Sequence, residues 1–211
     1  MKEFDGIIRG LANRHHLWRV FSDFCEMSAL SIENALLKDP EKEKRYMQII
    51  GCYEPDEVKQ FPMLFAHTVT AQDLDRDFLG ETFMRLELGS HWHGQFFTPI
   101  HICKMMALMT LGGADDLIKD KGFFTAMEPA CGAGAMVIGL ASAMKDSGLD
   151  YQKQVHVTCV DKDPTAANMA YIQLSLHHIP ALVYTGDSLS LKMDSVRATP
   201  AHILGGWDKR L

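Results

Sequence analysis

Two textures of apolar and polar positions divide the chain. From Leu17, apolar side chains fall at Leu17, Phe21, Phe24, Ala29, Ile32 and Leu36, with Val20 and Met27 beside them. That is a helical stripe over about twenty residues. Lys38-Asp39-Pro40 should end it, and a second helix is expected over Glu41 to Ile50. Pro55 and Pro62 bracket or bend a third. A fourth is expected from Asp73 to Leu88, with Leu74, Phe78, Leu79, Phe83 and Leu86 along one side. Residues 1–90 therefore read as a helical lobe.

The pattern changes over 91–211. Thr98-Pro99 reads as an N-cap followed by Pro at the first helical position. That helix should reach about Leu111, where Gly112-Gly113 stops it. A polar stretch follows. Phe123 to Met127 reads as a short strand leading into the glycine turn Glu128-Pro129-Ala130-Cys131-Gly132-Ala133-Gly134. A helix over Ala135 to Lys145, a strand over Val155 to Val160 closed by Asp161, a helix over Pro164 to His178 and a strand over Ala181 to Thr185 ending at Gly186-Asp187 complete the series. Strand, helix, strand, helix, strand is the unit of a parallel sheet with right-handed crossovers.

Composition narrows the class. At 47% hydrophobic and 23% charged, the 211 residues are ordinary globular sequence, not disordered or coiled-coil sequence. Lys+Arg total 21 against 27 Asp+Glu, so the chain is acidic and a poor DNA clamp by itself. The five cysteines are widely spaced, with no C-x-x-C pair, as in reduced thiols of a cytoplasmic protein. No apolar run has the length of a membrane span, and Met1-Lys2-Glu3-Phe4-Asp5 does not read as a signal peptide.

Three features share the carboxyl ends of successive strands: the turn from Glu128 to Gly134, Asp161, and Asp187. Ligands of open α/β sheets bind at that edge. Glycines let backbone approach a ligand and leave a helix N-terminus facing it. An acid after the second strand suits ribose hydroxyls, and one after the third suits an adenine amino group. The turn is not the dinucleotide type, because Val137 stands where G-x-G-x-x-G needs glycine, and no Gly-Lys-Ser/Thr follows it. An adenosine-containing ligand without pyrophosphate fits best.

Four motifs in order resemble the N6-adenine DNA methyltransferases, most closely the modification subunit of type I restriction systems. They are Gly94-Gln95-Phe96-Phe97-Thr98-Pro99, Glu128 to Gly134, Asp161-Lys162-Asp163-Pro164 and Gly186-Asp187-Ser188-Leu189. Upstream, Asp77-Phe78-Leu79-Gly80-Glu81-Thr82-Phe83 resembles the family's D-x-L-G-x-x-Y/F segment. The resemblance implies an α/β fold, a truncated class I S-adenosylmethionine-dependent methyltransferase (Rossmann-like) sheet behind an N-terminal helical lobe. It implies S-adenosylmethionine as cofactor. Phe97 and Thr98 would hold its methionine end, and the turn Glu128, Pro129, Ala130, Cys131, Gly132, Ala133, Gly134 would pass beneath it. Asp161 would take the ribose, Asp187 the adenine, and Leu189 or a neighbour would pack on the ring. The implied chemistry is methyl transfer to N6 of a flipped adenine.

One element of the family pattern is absent. The Asn/Asp-Pro-Pro-Tyr/Phe tetrapeptide that carries catalysis has no counterpart, since no two of the eight prolines are adjacent. The residues after Asp187 are too few for the remaining strands, and no catalytic residue is assigned. His202 and Trp207 are the nearest candidates for a base and a stacking ring. A sheet of three strands leaves the first strand's edge open, and open edges tend to be covered. The tail at Ala201 to Leu204, the N-terminal helices, or another chain in a homodimer or hetero-oligomer is expected there. DNA would be reached through a partner specificity subunit of a restriction-modification system. The alternative is a non-catalytic interaction or regulatory protein built on a methyltransferase half. His91-Trp92-His93 with His101 lacks a Cys or carboxylate at ligand spacing, so no metal site is expected. Cys131 is read as packing rather than a nucleophile, and Glu41-Lys42-Glu43-Lys44-Arg45 as a solvated helix start.

Overall fold

A computed structural model describes residues 2–88 and 97–211. The Gly94-Gln95-Phe96 part of the first motif, and His91 to His93, lie outside the described residues. Helices α1 (Lys2–Leu11), α2 (Leu17–Leu37), α3 (Pro40–Ile50), α4 (Pro55–Val58), α5 (Gln60–Thr70) and α6 (Phe78–Arg85) come first. Helices α7 (Ile100–Thr110) and α8 (Ala114–Lys121) lead to β1 (Phe124–Glu128). Then follow α9 (Ala135–Asp146), α10 (Tyr151–Gln154), β2 (Val155–Asp161), α11 (Pro164–Leu176), β3 (Ala181–Asp187), β4 (Lys192–Ala198) and α12 (Pro200–Leu204).

The predicted helix ends hold where capping chemistry is local. Lys38 adopts a left-handed conformation and closes α2 with its N–H on Asn34 O, while Asp39 caps α3 ahead of Pro40. Four readings need correction. The helix expected from Asp73 begins only at Phe78, because the Asp77 side chain accepts from Gly80 N and caps it there. Thr98 is not a cap: Pro99 takes the N-cap position in an extended conformation, and α7 starts at Ile100. The polar stretch before β1 is helix α8, ended by Gly122 at φ 78°. The sheet of three strands gains a fourth at Lys192–Ala198, and the tail from Pro200 is a helix capped by Thr199. The first helix, α1, buries Phe4, Ile8 and Leu11 at i, i+4 and i+7.

The sheet order is β1-β2-β3-β4. β1 and β3 flank β2 in parallel, with Phe124 opposite Val155 and Val157 opposite Ala181. β4 returns antiparallel to β3, Leu182 opposite Ala198. Side chains alternate faces along a strand. One face, with Val155, Val157, Cys159, Ala181 and Val183, enters a single buried cluster with α1, α2, α6, α9 and α11. On the other face Thr125, Met127 and Val196 are exposed and Thr158, Leu182 and Tyr184 half-buried. His156 lies on that face yet is buried, because the C-terminal segment covers it.

That segment does not pair with β1, which among the described residues is hydrogen-bonded to β2 alone in the sheet. Instead Trp207, 1% exposed, packs edge-on against Phe123 at 5.0 Å and lies 5.2 Å from His156. Arg210 stacks over Trp207 at 3.7 Å. The tail therefore seats on the sheet face at the strands' starting ends and borders β1 without extending the sheet.

Helices α7 and α9 pack closely at Gly139. A Cβ on Gly139 would lie 2.8 Å from Lys104 N and from Cys103 Cβ. Backbone on the facing helix gives way poorly. Gly139→Ala is expected to destabilise by about 1–3 kcal/mol, despite the roughly 1 kcal/mol gained in helix propensity. Urea unfolding checks this; an unchanged or higher midpoint would contradict it.

Candidate functional site at the carboxyl edge of the sheet

The glycine turn after β1 is held from several sides. Glu128 Oε1 accepts from Ala130 N at 3.3 Å. Cys131 N donates to Val160 O of β2 at 2.9 Å, and Gly134 N donates to Cys131 O at 2.8 Å. Gly132 (φ 54°) and Gly134 (φ 96°) occupy the left-handed region, so the turn needs glycine on backbone grounds. Their missing side chains also leave space that protein fills. A Cβ on Gly132 would meet the Phe97 ring at 2.7 Å, and one on Gly134 would meet Ala170 Cα at 3.4 Å.

Asp161 ends β2 and ties the turn to it. Its Oδ2 accepts from Gly132 N at 2.8 Å and its Oδ1 from Asp163 N at 2.9 Å. Burial pushes the Asp161 carboxyl above its ordinary range, and the backbone N–H groups of Asp163, Gly132 and Lys162 work against that. Each oxygen keeps a lone pair for a further donor. Asp187 ends β3 in a more open setting. It accepts from Leu189 N at 2.9 Å and Ser190 N at 3.2 Å, which hold its carboxyl below the usual range. Lys162 Nζ approaches it to 3.8 Å. Leu189 is 96% exposed, with its side chain free of protein packing.

The structure thus gathers Glu128 to Gly134, Asp161 and Asp187 on one edge, with Phe97 lying on Gly132. Thr98 is exposed beside it, its carbonyl accepting from Cys103 Sγ at 3.6 Å. Pro129 and Ala130 are exposed on the turn. Cys131 is buried, and both its hydrogen bond with Cys159 and its burial raise its thiol well above the ordinary value. Such a thiol is a poor nucleophile. His202 and Trp207 do not join the site. They pack at His156, five residues before Asp161, or about 16 Å of strand away.

Sequence reading missed Gln173. It is fully buried on α11 and reaches the turn by donating to Ala133 O at 2.8 Å. The one signal was a long polar side chain inside the apolar run Met169 to Leu176.

β1, β2 and β3 thus run parallel, with the glycine turn after β1 and Asp161 and Asp187 closing β2 and β3. The model of the N-6 DNA methylase family matches residues 81–204, and the chain belongs to that family. Among solved structures, it is similar to one described as a class I S-adenosylmethionine-dependent methyltransferase from Listeria monocytogenes. The identity is 16% and the TM-score 0.47, over 89% of this chain and 53% of that one. The chain thus spans about half the length of that protein. No curated protein matches it. No helix among the described residues is long and apolar enough to cross a membrane.

Proposed function

We propose that the chain binds S-adenosylmethionine at the carboxyl edge of β1, β2 and β3 and serves as the cofactor-binding half of an N6-adenine DNA methyltransferase. The observation that carries this reading is Asp161, whose half-buried carboxylate fastens the glycine turn and keeps lone pairs for two hydroxyls. When bound, the cofactor supplies an electrophilic methyl group on a sulfonium. Asp161 accepts from the ribose hydroxyls and Asp187 from the adenine amino group. Leu189 packs on the ring, and Phe97, Thr98 and the turn from Glu128 to Gly134 hold the methionine end. The first turn of α9 supports this: Gly134 precedes it with no side-chain cap among the described residues, leaving backbone N–H groups for an acceptor.

Catalysis needs a group to polarise the target amine, and these residues contain no Asn/Asp-Pro-Pro-Tyr/Phe. A second polypeptide beside β1 completes the site, and a specificity subunit of a restriction-modification system brings the DNA. The open edge of β1 and the exposed Thr125 and Met127 next to it support such an assembly. The same absence also favours a second reading, a non-catalytic regulator in the cytoplasm. Calorimetry with S-adenosylhomocysteine separates the two. Binding in the micromolar range is expected for the purified chain, weakened about tenfold in Asp187→Ala, which loses one charge-assisted hydrogen bond. No heat at millimolar ligand would defeat the cofactor reading. Tritium transfer to unmethylated DNA should stay at background without a partner; robust turnover by the chain alone would overturn the two-part assembly.

A further inference from the structure

The segment Asp77-Phe78-Leu79-Gly80-Glu81-Thr82-Phe83 has no role in the site as described, yet its ends reach the glycine turn by two independent routes. The first is polar. The Gln173 side chain is fully buried, and both its amide nitrogen and its amide oxygen are hydrogen-bonded. Its Oε1 accepts from Leu79 N at 3.0 Å. Its Nε2 donates to Asp77 Oδ1 and to Ala133 O, both at 2.8 Å. The peptide between Ala133 and Gly134 is thereby held at both ends, its carbonyl by Gln173 and its N–H by Cys131 O. The second route is aromatic. Phe83, six residues after Asp77, packs edge-on against Phe97 at 5.4 Å, and Phe97 lies on Gly132.

The sequence spacing follows from this geometry. Asp77 both caps α6 and anchors Gln173, so its carboxylate folds back over residue 80. A Cβ there would collide with that carboxylate, which leaves glycine. Phe83 must then fall on the face of α6 that meets Phe97.

We propose that α6 sets the conformation of the glycine turn, with Gln173 and Asp77 as positioning residues for the cofactor. Neither touches the ligand in the reading above, on which this inference rests. Apolar packing alone would fill the same space, but it would leave the Ala133 carbonyl free to turn. Holding a carbonyl in one direction within a dry interior requires a donor, and leaving it unpaired is costly.

Two readouts test the proposal. In the ligand-free protein, hydrogen exchange across residues 128–140 is expected to quicken about tenfold in Gln173→Met and in Asp77→Ala, and to stay at the wild-type rate in Asp77→Asn, whose amide oxygen still accepts from Gly80 and Gln173. By calorimetry, S-adenosylhomocysteine affinity should fall about tenfold in the first two variants and recover in Asp77→Asn. The double variant Gln173→Met with Asp77→Ala should be no worse than either single one, because both cut the same link. A lower melting temperature with unchanged exchange and affinity would reduce Gln173 to a packing residue and overturn the inference. Should Gln173→Met fail to fold, the Asp77 pair decides. Should the wild-type chain not bind S-adenosylhomocysteine, the cofactor reading fails, and the exchange of the free turn still decides whether α6 positions it.

Discussion

Asp161→Ala is expected to weaken S-adenosylhomocysteine binding by about a hundredfold or more, the largest loss of any single substitution at the site. Hydrogen bonds from hydroxyls to a carboxylate contribute about 1.5–3 kcal/mol each when water is excluded, and Asp161 is placed to accept two. Each 1.4 kcal/mol is about tenfold in affinity, so two such bonds reach the stated loss. The substitution also releases Gly132 N, which donates to Asp161 Oδ2 at 2.8 Å, so the turn itself loosens. Asp161→Asn keeps one acceptor and should fall between the two. The contrast with Asp187→Ala is instructive. Asp187 is more exposed and its Oδ1 serves both Leu189 N and Ser190 N in a solvated loop, so water replaces part of what is lost. Titration calorimetry measures both. Binding by Asp161→Ala equal to wild type would remove the ligand from the end of β2.

The edge of the sheet was legible in the sequence because its chemistry is local. The turn from Glu128 to Gly134, Asp161 and Asp187 each follow a short apolar run, and the glycines at 132 and 134 take the positive φ values a tight turn needs. Helix ends at Lys38-Asp39-Pro40 were legible for the same reason. What escaped is what tertiary contact decides. β4 reads Lys192-Met193-Asp194-Ser195-Val196-Arg197-Ala198, with little apolar alternation, because one of its faces is solvated and the other turns Arg197 to Glu33 of α2 at 3.1 Å. Helix α8 is too polar to signal burial, and its existence rests on its contact with β1 and a glycine stop at Gly122. Gln173 lies 94 residues from Leu79 and 40 from Ala133, so no window along the chain shows the three together. The contact that a Cβ at 132 would make with the Phe97 ring, 35 residues away along the chain, escaped in the same way.

Stability should fall between pH 6.5 and 4, because two histidines are buried in neutral form. His156 is 1% exposed and burial lowers its pKa to about 4; His177 is 7% exposed and burial lowers it likewise to about 4. Between pH 6.5 and 4 the unfolded chain takes up protons that the folded one refuses. Stability is therefore full above the unfolded value and is lost as pH falls toward the folded one. Each ring accounts for about 3 kcal/mol by pH 4, against a typical total of about 5–15 kcal/mol. Their surroundings differ. His156 Nε2 lies 2.8 Å from His202 Nδ1, and His202 Nε2 lies 3.0 Å from Asp208. Since a carboxylate only accepts, His202 donates to Asp208, and with a neutral His202 ring the shared proton belongs to His156. A second proton on His156 would sit beside Trp207 and be opposed by His202 and, less, by Arg210, with Asp208 compensating. His177 has no such chain: its Nε2 is buried without a partner among the described residues, opposed by His178 and aided only by Asp73. His177→Leu should therefore leave stability at pH 7.5 near wild type or above it, and flatten the acid limb by about 3 kcal/mol. The carboxyls of Asp77 and Asp161, raised by their own burial, act in the opposite sense in both proteins and cancel in that comparison. Urea midpoints from pH 7.5 to 4 measure it. Parallel acid limbs for His177→Leu and wild type would mean that His177 takes its proton without opening the fold.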